Sequence, residues 1–153
     1  MTSEAPRVTR VLETSLYVAD LDRAQQFYEG LFGFPPFLRD ERMCALGVPG
    51  AQVLLLFRRD GSIHPSPAPG GGFIPAHDGR GTQHLCFAIP AADLGGWERR
   101  LDAQGIAVES RVTWPRGAVS LYFRDPDGHS LELATPRLWP NDPELGADAP
   151  RAR

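Results

Sequence analysis

The scarcities of this chain narrow its function before any motif is considered. Cysteine is nearly missing: Cys44 and Cys86 are the only two in 153 residues. That is too few for the disulfide framework of a small secreted domain, so both are expected to be reduced thiols. Long hydrophobic runs are lacking as well. The stretch LCFAIPAA from Leu85 falls far short of the roughly 20 apolar residues of a membrane span. The opening MTSEAPRVTR has no apolar core of a secretory signal, and a cytoplasmic location is expected. Positive charge is not in excess, with 16 Lys and Arg against 19 Asp and Glu. Neither nucleic acid nor an anionic membrane is therefore an expected partner.

What the chain does have is an internal repeat, which decides fold class when present. ETSLYVADLDRAQQFYEGLFGF begins at Glu13, and HLCFAIPAADLGGWERRLDAQGI begins at His84, 71 residues later. Each reads as a strand, a turn and one amphipathic helix. Each half ends on a Gly-led strand, GAQVLLLF from Gly50 and GHSLELAT from Gly128. In this alignment Glu132 falls where the first half carries Leu54. The resulting fold is α+β: two tandem βαβββ modules forming a curved mixed β-sheet with helices on its outer face. Residues 1–10 form a mobile N-terminus, 11–59 the first module, 60–82 a linker, 83–136 the second module and 137–153 a polar tail.

Local patterns support that division. Glu13, Ser15 and Tyr17 alternate with Thr14, Leu16 and Val18, as in a half-buried strand. Asp20 is placed to cap a helix whose stripe is Leu21, Ala24, Phe27, Tyr28 and Leu31, with Gly33 stopping it. Phe37 to Val48 and Gln52 to Phe57 follow as two strands around Pro49-Gly50. Residues 60–82 are rich in Gly and Pro and keep no period, which leaves His64 and His77 as solvated linker residues. His77 reaches the body of the protein only if the linker folds over it. In the second half Asp93 is expected to cap a helix lined by Leu94, Trp97 and Leu101, ended by Gly105. Val108 to Val112 and Val119 to Arg124 are strands, and Asp125-Pro126-Asp127-Gly128 is a turn that makes Asp125 and His129 structural. Leu138 and Trp139 are the tail residues able to pin it down.

Helices covering one sheet face leave the other free, with Glu13, Ser15, His84, Cys86 and Glu132 on it. Carboxylate oxygens and an imidazole nitrogen suit a divalent ion such as zinc, manganese, iron or nickel. Three protein ligands, Glu13, His84 and Glu132, leave coordination positions open for a substrate oxygen. Glu132 lies between Leu131 and Leu133 inside a strand, where a carboxylate needs its charge compensated.

The segments LYVADLDRAQQFYEGLFGF, GTQHLCFAIPAADLGGWERRL and SLYFRDPDGHSLEL resemble the vicinal-oxygen-chelate superfamily over roughly residues 11–136. That superfamily holds glyoxalase I, bleomycin-resistance proteins, fosfomycin-resistance thiol transferases and extradiol dioxygenases. The resemblance implies metal ligands at the first strand of each module and on the last strand of the second, hence Glu13, His84 and Glu132. Glu13 replaces the more usual His, which leaves the two-His, one-carboxylate set of iron dioxygenases incomplete. The fourth ligand of glyoxalase I would fall at Leu54 or Leu55. By the same resemblance Ser15, Ser120 and Tyr122 correspond to substrate contacts of the thiol transferases, with Arg116 standing in for their anion-binding lysine. Tyr17, Phe57, Trp114 and Tyr122 would wall a drug-binding groove of the bleomycin-resistance kind. The expected function is a divalent-metal-dependent enzyme acting on a small oxygen-bearing substrate, as isomerase or lyase, thiol transferase or dioxygenase. In it the metal is a Lewis acid and Glu13 or Glu132 the base. The alternative is a non-catalytic protein that sequesters a small molecule. A homodimer is implied in either case.

Overall fold

A computed structural model describes residues 5–145 of the chain. They fall into two compact units, one ending at Arg80 and the other starting at Gly81. The first contains β1 (Glu13–Val18), α1 (Leu21–Phe32), β2 (Pro36–Arg39), β3 (Met43–Val48) and β4 (Gln52–Arg58). Two short strands follow, β5 (Ser66–Pro67) and β6 (Phe73–Ile74). The second contains β7 (His84–Ala88), α2 (Leu94–Ala103), β8 (Ser110–Thr113), β9 (Val119–Arg124) and β10 (Ser130–Ala134). Each unit is thus a βαβββ module of the expected α+β kind. Its sheet has the order β1-β4-β3-β2 in one case and β7-β10-β9-β8 in the other. In both, the first strand runs parallel to the last and the remaining pairs are antiparallel. No helix among the described residues is long and apolar enough to cross a membrane.

The helix of the first module forms where its sequence pattern places it. Asp20 is extended, and its Oδ1 accepts hydrogen bonds from the amides of Asp22 and Arg23 at 2.9 and 3.1 Å. Gly33 closes the helix in the left-handed region at φ 72°, where a side chain would be strained. Leu21, Ala24, Tyr28 and Leu31 are buried, and the helix packs on β3 and β4. Phe27 is only half-buried. In the second module Leu101, Leu121, Phe123, Leu131 and Leu133 are fully buried. Each such side chain contributes about 1.5–3 kcal/mol by leaving water.

Several expectations are corrected. Phe37 to Val48 is not one strand but two. Asp40 Oδ1 accepts from the amides of Arg42 and Met43, at 2.7 and 2.9 Å, and this turn reverses the chain between β2 and β3. Asp93 makes no side-chain cap, because a 3₁₀ turn over Ala91–Asp93 already brings its backbone into helical geometry. The repeat alignment shifts by one residue. Glu13 pairs with Val53 and His84 with Ser130, so Leu55, not Leu54, corresponds to Glu132. Residues 60–80 belong to the first unit, contain the β5–β6 hairpin and fold back on β1. Trp139 is exposed and anchors nothing, whereas Leu138 is half-buried. Most of the tail, from residue 146, lies outside the described residues, as do residues 1–4 of the N-terminus.

The two helix starts give a direct test. Asp20→Ala should destabilise the protein by about 1 kcal/mol, whereas Asp93→Ala should change stability by less than about 0.5 kcal/mol. Urea unfolding followed by far-ultraviolet circular dichroism reads both.

Candidate metal centre and substrate cavity

The parallel pairing of β7 with β10 sets Cys86 opposite Glu132 and leaves His84 one rung away on the same face. Glu132 is buried, at 4% exposure, and a carboxylate there needs its charge met. A chain of hydrogen bonds meets part of it. The Trp114 indole Nε1–H donates to Ser120 Oγ at 2.8 Å, and the Ser120 hydroxyl donates to Glu132 Oε1. The direction is forced, since an indole can only donate and a carboxylate can only accept.

The other carboxylate oxygen, Oε2, faces His84 Nε2 at 3.2 Å. His84 Nδ1 lies 2.9 Å from the Ser130 carbonyl oxygen, which can only accept. Nδ1 therefore carries the proton, and in the neutral imidazole Nε2 presents a lone pair to a carboxylate. Two acceptors face one another unless the ring is protonated or a cation lies between them. The spacing of 3.2 Å suits two donors that each stand about 2.1 Å from one ion. Tyr122 stacks on the His84 ring at a centroid distance of 6.2 Å. Burial, and then Glu132, raise its phenol above the ordinary range. Cys86, although on an exposed strand position, has its thiol pushed up to about 12, first by desolvation and then by the charge of Glu132. Neither arginine that could have neutralised Glu132 does so. Arg124 is paired with Glu109 at 2.6 Å, lowering that carboxyl, and Arg116 donates to the Leu138 carbonyl at 3.2 Å. Arg116 is thus outside the cluster formed by Trp114, Ser120, Tyr122, His84 and Glu132. Asp125 accepts from the His129 amide and both are buried, in the structural role expected of them.

Glu13, Ser15, Tyr17 and Phe57 line a different feature, a cavity of about 770 Å³ within the first module. Its floor is three rungs of sheet: Glu13 beside Val53, Ser15 beside Leu55 and Ala45, Tyr17 beside Phe57 and Met43. Glu13 is exposed at one end. At the other, His77 corrects its expected solvated state: its Nδ1 is 2.7 Å from the Tyr17 hydroxyl, and its ring meets Phe57 edge-on at 4.4 Å. Gly79 lies flat on the Tyr17 ring, where a Cβ would come within 2.3 Å of Cδ2, so only glycine permits this approach. Arg42 and Ser62, which sequence reasoning passed over, also line this cavity, as does His64, which is exposed as expected. Arg42 and Ser62 sit in turns without periodicity, so no pattern marked them. Among the described residues of either module, no three His, Cys, Asp or Glu side chains gather into a metal-holding group. The second module supplies two donors.

The model of the Glyoxalase/Bleomycin resistance protein/Dioxygenase superfamily matches residues 10–133. The chain belongs to this superfamily. Among solved structures, a lactoylglutathione lyase from Agrobacterium tumefaciens is 35% identical, with a TM-score of 0.78 over 88% of this chain and 98% of that one. Among curated proteins, the metallothiol transferase FosB of Bacillus licheniformis is 30% identical over 77% of this chain and 70% of its own length. A catechol-2,3-dioxygenase of Bacillus subtilis is 29% identical over 89% of this chain, which spans only 46% of that enzyme. A lyase, a transferase and an oxygenase thus share this superfamily fold.

The thiol offers a readout of the buried carboxylate. With a pKa of about 12, only on the order of one Cys86 in ten thousand is thiolate at pH 8. Iodoacetamide should therefore label Cys86 far more slowly than a free cysteine. Glu132→Gln, which removes the neighbouring charge, should speed that labelling several-fold, as followed by mass spectrometry of chelator-treated protein.

Proposed function

We propose that this superfamily member is a divalent-metal-dependent enzyme acting on a small oxygen-bearing substrate, with His84, Glu132 and Glu13 holding the ion. The observation that carries the reading is the His84–Glu132 pair: with Nδ1 turned to the Ser130 carbonyl, His84 Nε2 faces a buried carboxylate oxygen at 3.2 Å, and neither Arg116 nor Arg124 is on it. Zinc, manganese, iron and nickel all accept this donor set. The third donor has to come from a first module, of the same chain or of a second copy in a homodimer, and Glu13 holds the position equivalent to His84. When bound, the metal would act as a Lewis acid on the substrate oxygen.

The chain's own residues do the remaining work. Ser120 ties down Glu132 Oε1 and so aims Oε2 outward, while Trp114 holds the Ser120 hydroxyl in that direction. Ser130, through its carbonyl, fixes the His84 tautomer and ring. Glu13 makes no ion pair among the described residues, which leaves it able to take a substrate proton. Leu55, facing the cavity where the second module has Glu132, removes the second donor that a four-ligand set would draw from the first module. That count favours thiol transfer over glyoxalase-type isomerisation, and the chain is similar to proteins of both kinds. The Glu-for-His replacement at position 13 ranks ring-cleaving oxygenation lower. Ser15, Tyr17 and Phe57 on one module and Trp114, Ser120 and Tyr122 on the other are the proposed substrate contacts. Arg116, turned to Leu138, would contribute only by leaving it.

Protein prepared without chelator should hold about one equivalent of transition metal per chain, by elemental analysis. His84→Ala and Glu132→Gln should lose it while keeping the wild-type circular-dichroism spectrum, and Glu13→Gln should weaken retention. Absence of metal from wild-type protein, even after incubation with zinc, manganese, iron or nickel, would sink this reading and leave ligand sequestration in its place. Consumption of a small thiol in the presence of an electrophilic co-substrate would then separate transfer from isomerisation.

A further inference from the structure

The cavity of the first module is polarised along its strands. Glu13 stands at the first rung and Tyr17 four residues on, a separation of about 13 Å along the strand. Arg42 lies at the Tyr17 end: it adjoins Met43, which pairs with Phe57, and its carbonyl accepts from the Arg58 amide at 2.7 Å. Its amide is bonded to Asp40 Oδ1 and its Cβ lies 3.6 Å from the Cβ position of Gly61. The root of this side chain is therefore fixed by the turn. Arg42 lines the cavity, and its guanidinium makes no ion pair among the described residues. Other arginines are occupied: Arg39 by Asp22, Arg80 by Asp60, Arg111 by Glu98 and Arg124 by Glu109. The chain has no lysine, so arginine and histidine are its only side-chain cations. Of the two histidines on the wall, His77 is already engaged by Tyr17 and His64 is exposed. Between the two charged ends the floor is mostly apolar, made of Leu55, Phe57 and Ala45 with Ser15 on the middle rung.

We propose that this cavity takes an elongated amphipathic anion, its acid group bound by Arg42, its apolar or aromatic body laid over Leu55 and Phe57, and its reacting oxygen directed to the Glu13 end. The proposal deepens the metal reading by naming a substrate class, and rests on it only for the direction of the reacting end. A volume of about 770 Å³ is in the range that holds a drug-sized molecule. A guanidinium with no ion pair among the described residues matches a carboxylate, sulfonate or phosphonate in charge and in planar hydrogen bonding. The order of polar groups explains the asymmetry. Glu13 would repel an acid at its own end, so the anion and the reacting group lie at opposite ends of the floor.

The probe is 8-anilinonaphthalene-1-sulfonate, an aromatic anion, titrated by fluorescence into chelator-treated full-length protein beside the uncharged N-phenyl-1-naphthylamine. Arg42→Gln should weaken the sulfonate about tenfold and leave the neutral dye within about twofold. Leu55→Trp, which fills the floor, should weaken both. Arg111→Gln, on the other module, should change neither, and thermal midpoints check that each variant is folded. Unchanged sulfonate binding in Arg42→Gln, an equal loss of both dyes in that variant, or intact binding in Leu55→Trp would overturn the proposal. Metal content separates the two readings. A protein that binds no metal but discriminates the dyes through Arg42 fails only the metal reading, and one that holds metal without that discrimination fails only this one.

Discussion

The parallel pairing of the first and last strands in each module is the constraint on which the rest depends. Parallel neighbours cannot be joined by a tight turn. The chain must leave β1, cross over through a helix and return by an antiparallel meander before it can lie beside its own beginning. That route brings the start of β1 against β4 and the start of β7 against β10. Residues far apart in sequence become rung neighbours as a result. Glu132 comes to Cys86 and within reach of His84 without any short ligand motif in between. The same crossover assigns the helix to one face in the first module and leaves the other as a cavity floor.

The two modules share this frame and differ in what they bury on it. In the second, a carboxylate occupies the middle of the last strand, and the structure spends a serine, a tryptophan and a histidine to accommodate it. Removing a carboxylate from water costs several kcal/mol before compensation, so these partners are a condition of the fold as much as of any chemistry. In the first module the equivalent position is Leu55, and the floor needs no such support. Its charged groups lie at the ends, with Ser15 on the middle rung and further polar side chains on the 60–80 segment.

Much of this was legible in the sequence where the signal is periodic or stereochemically forced. Alternation in Glu13 to Val18, the cap at Asp20 and the stop at Gly33 each have a local physical cause, and each is found in the structure. The errors fall where the cause is not local. Phe37 to Val48 is apolar at both ends, and only the Asp40 side chain bonded to two amides shows that the chain turns. Asp93 has the composition of a cap, but the preceding 3₁₀ turn removes its function. The one-residue slip between Leu54 and Leu55 matters more, because in a strand it exchanges the core face for the cavity face. Leu54 is buried in the core and Leu55 lines the cavity. The segment 60–80 was opaque because its attachment depends on single contacts, Tyr17 with His77 and with Gly79, which leave no pattern.

These differences imply a division of labour on the proposed reading. The second module holds its donors from behind: Ser120 and Trp114 fix Glu132 Oε1, and the Ser130 carbonyl fixes His84 Nδ1, each in a direction set by what it can donate or accept. Such preorganisation suits the part of a site that must not change between substrates. The first module offers an exposed Glu13, an arginine with no ion pair among the described residues and a mostly apolar floor, all on residues that carry no buried charge. Substitutions there change shape and charge without disturbing a buried network. Specificity is therefore expected to vary through Arg42, Leu55 and the 60–80 segment, while His84, Ser120 and Glu132 set what the site can hold.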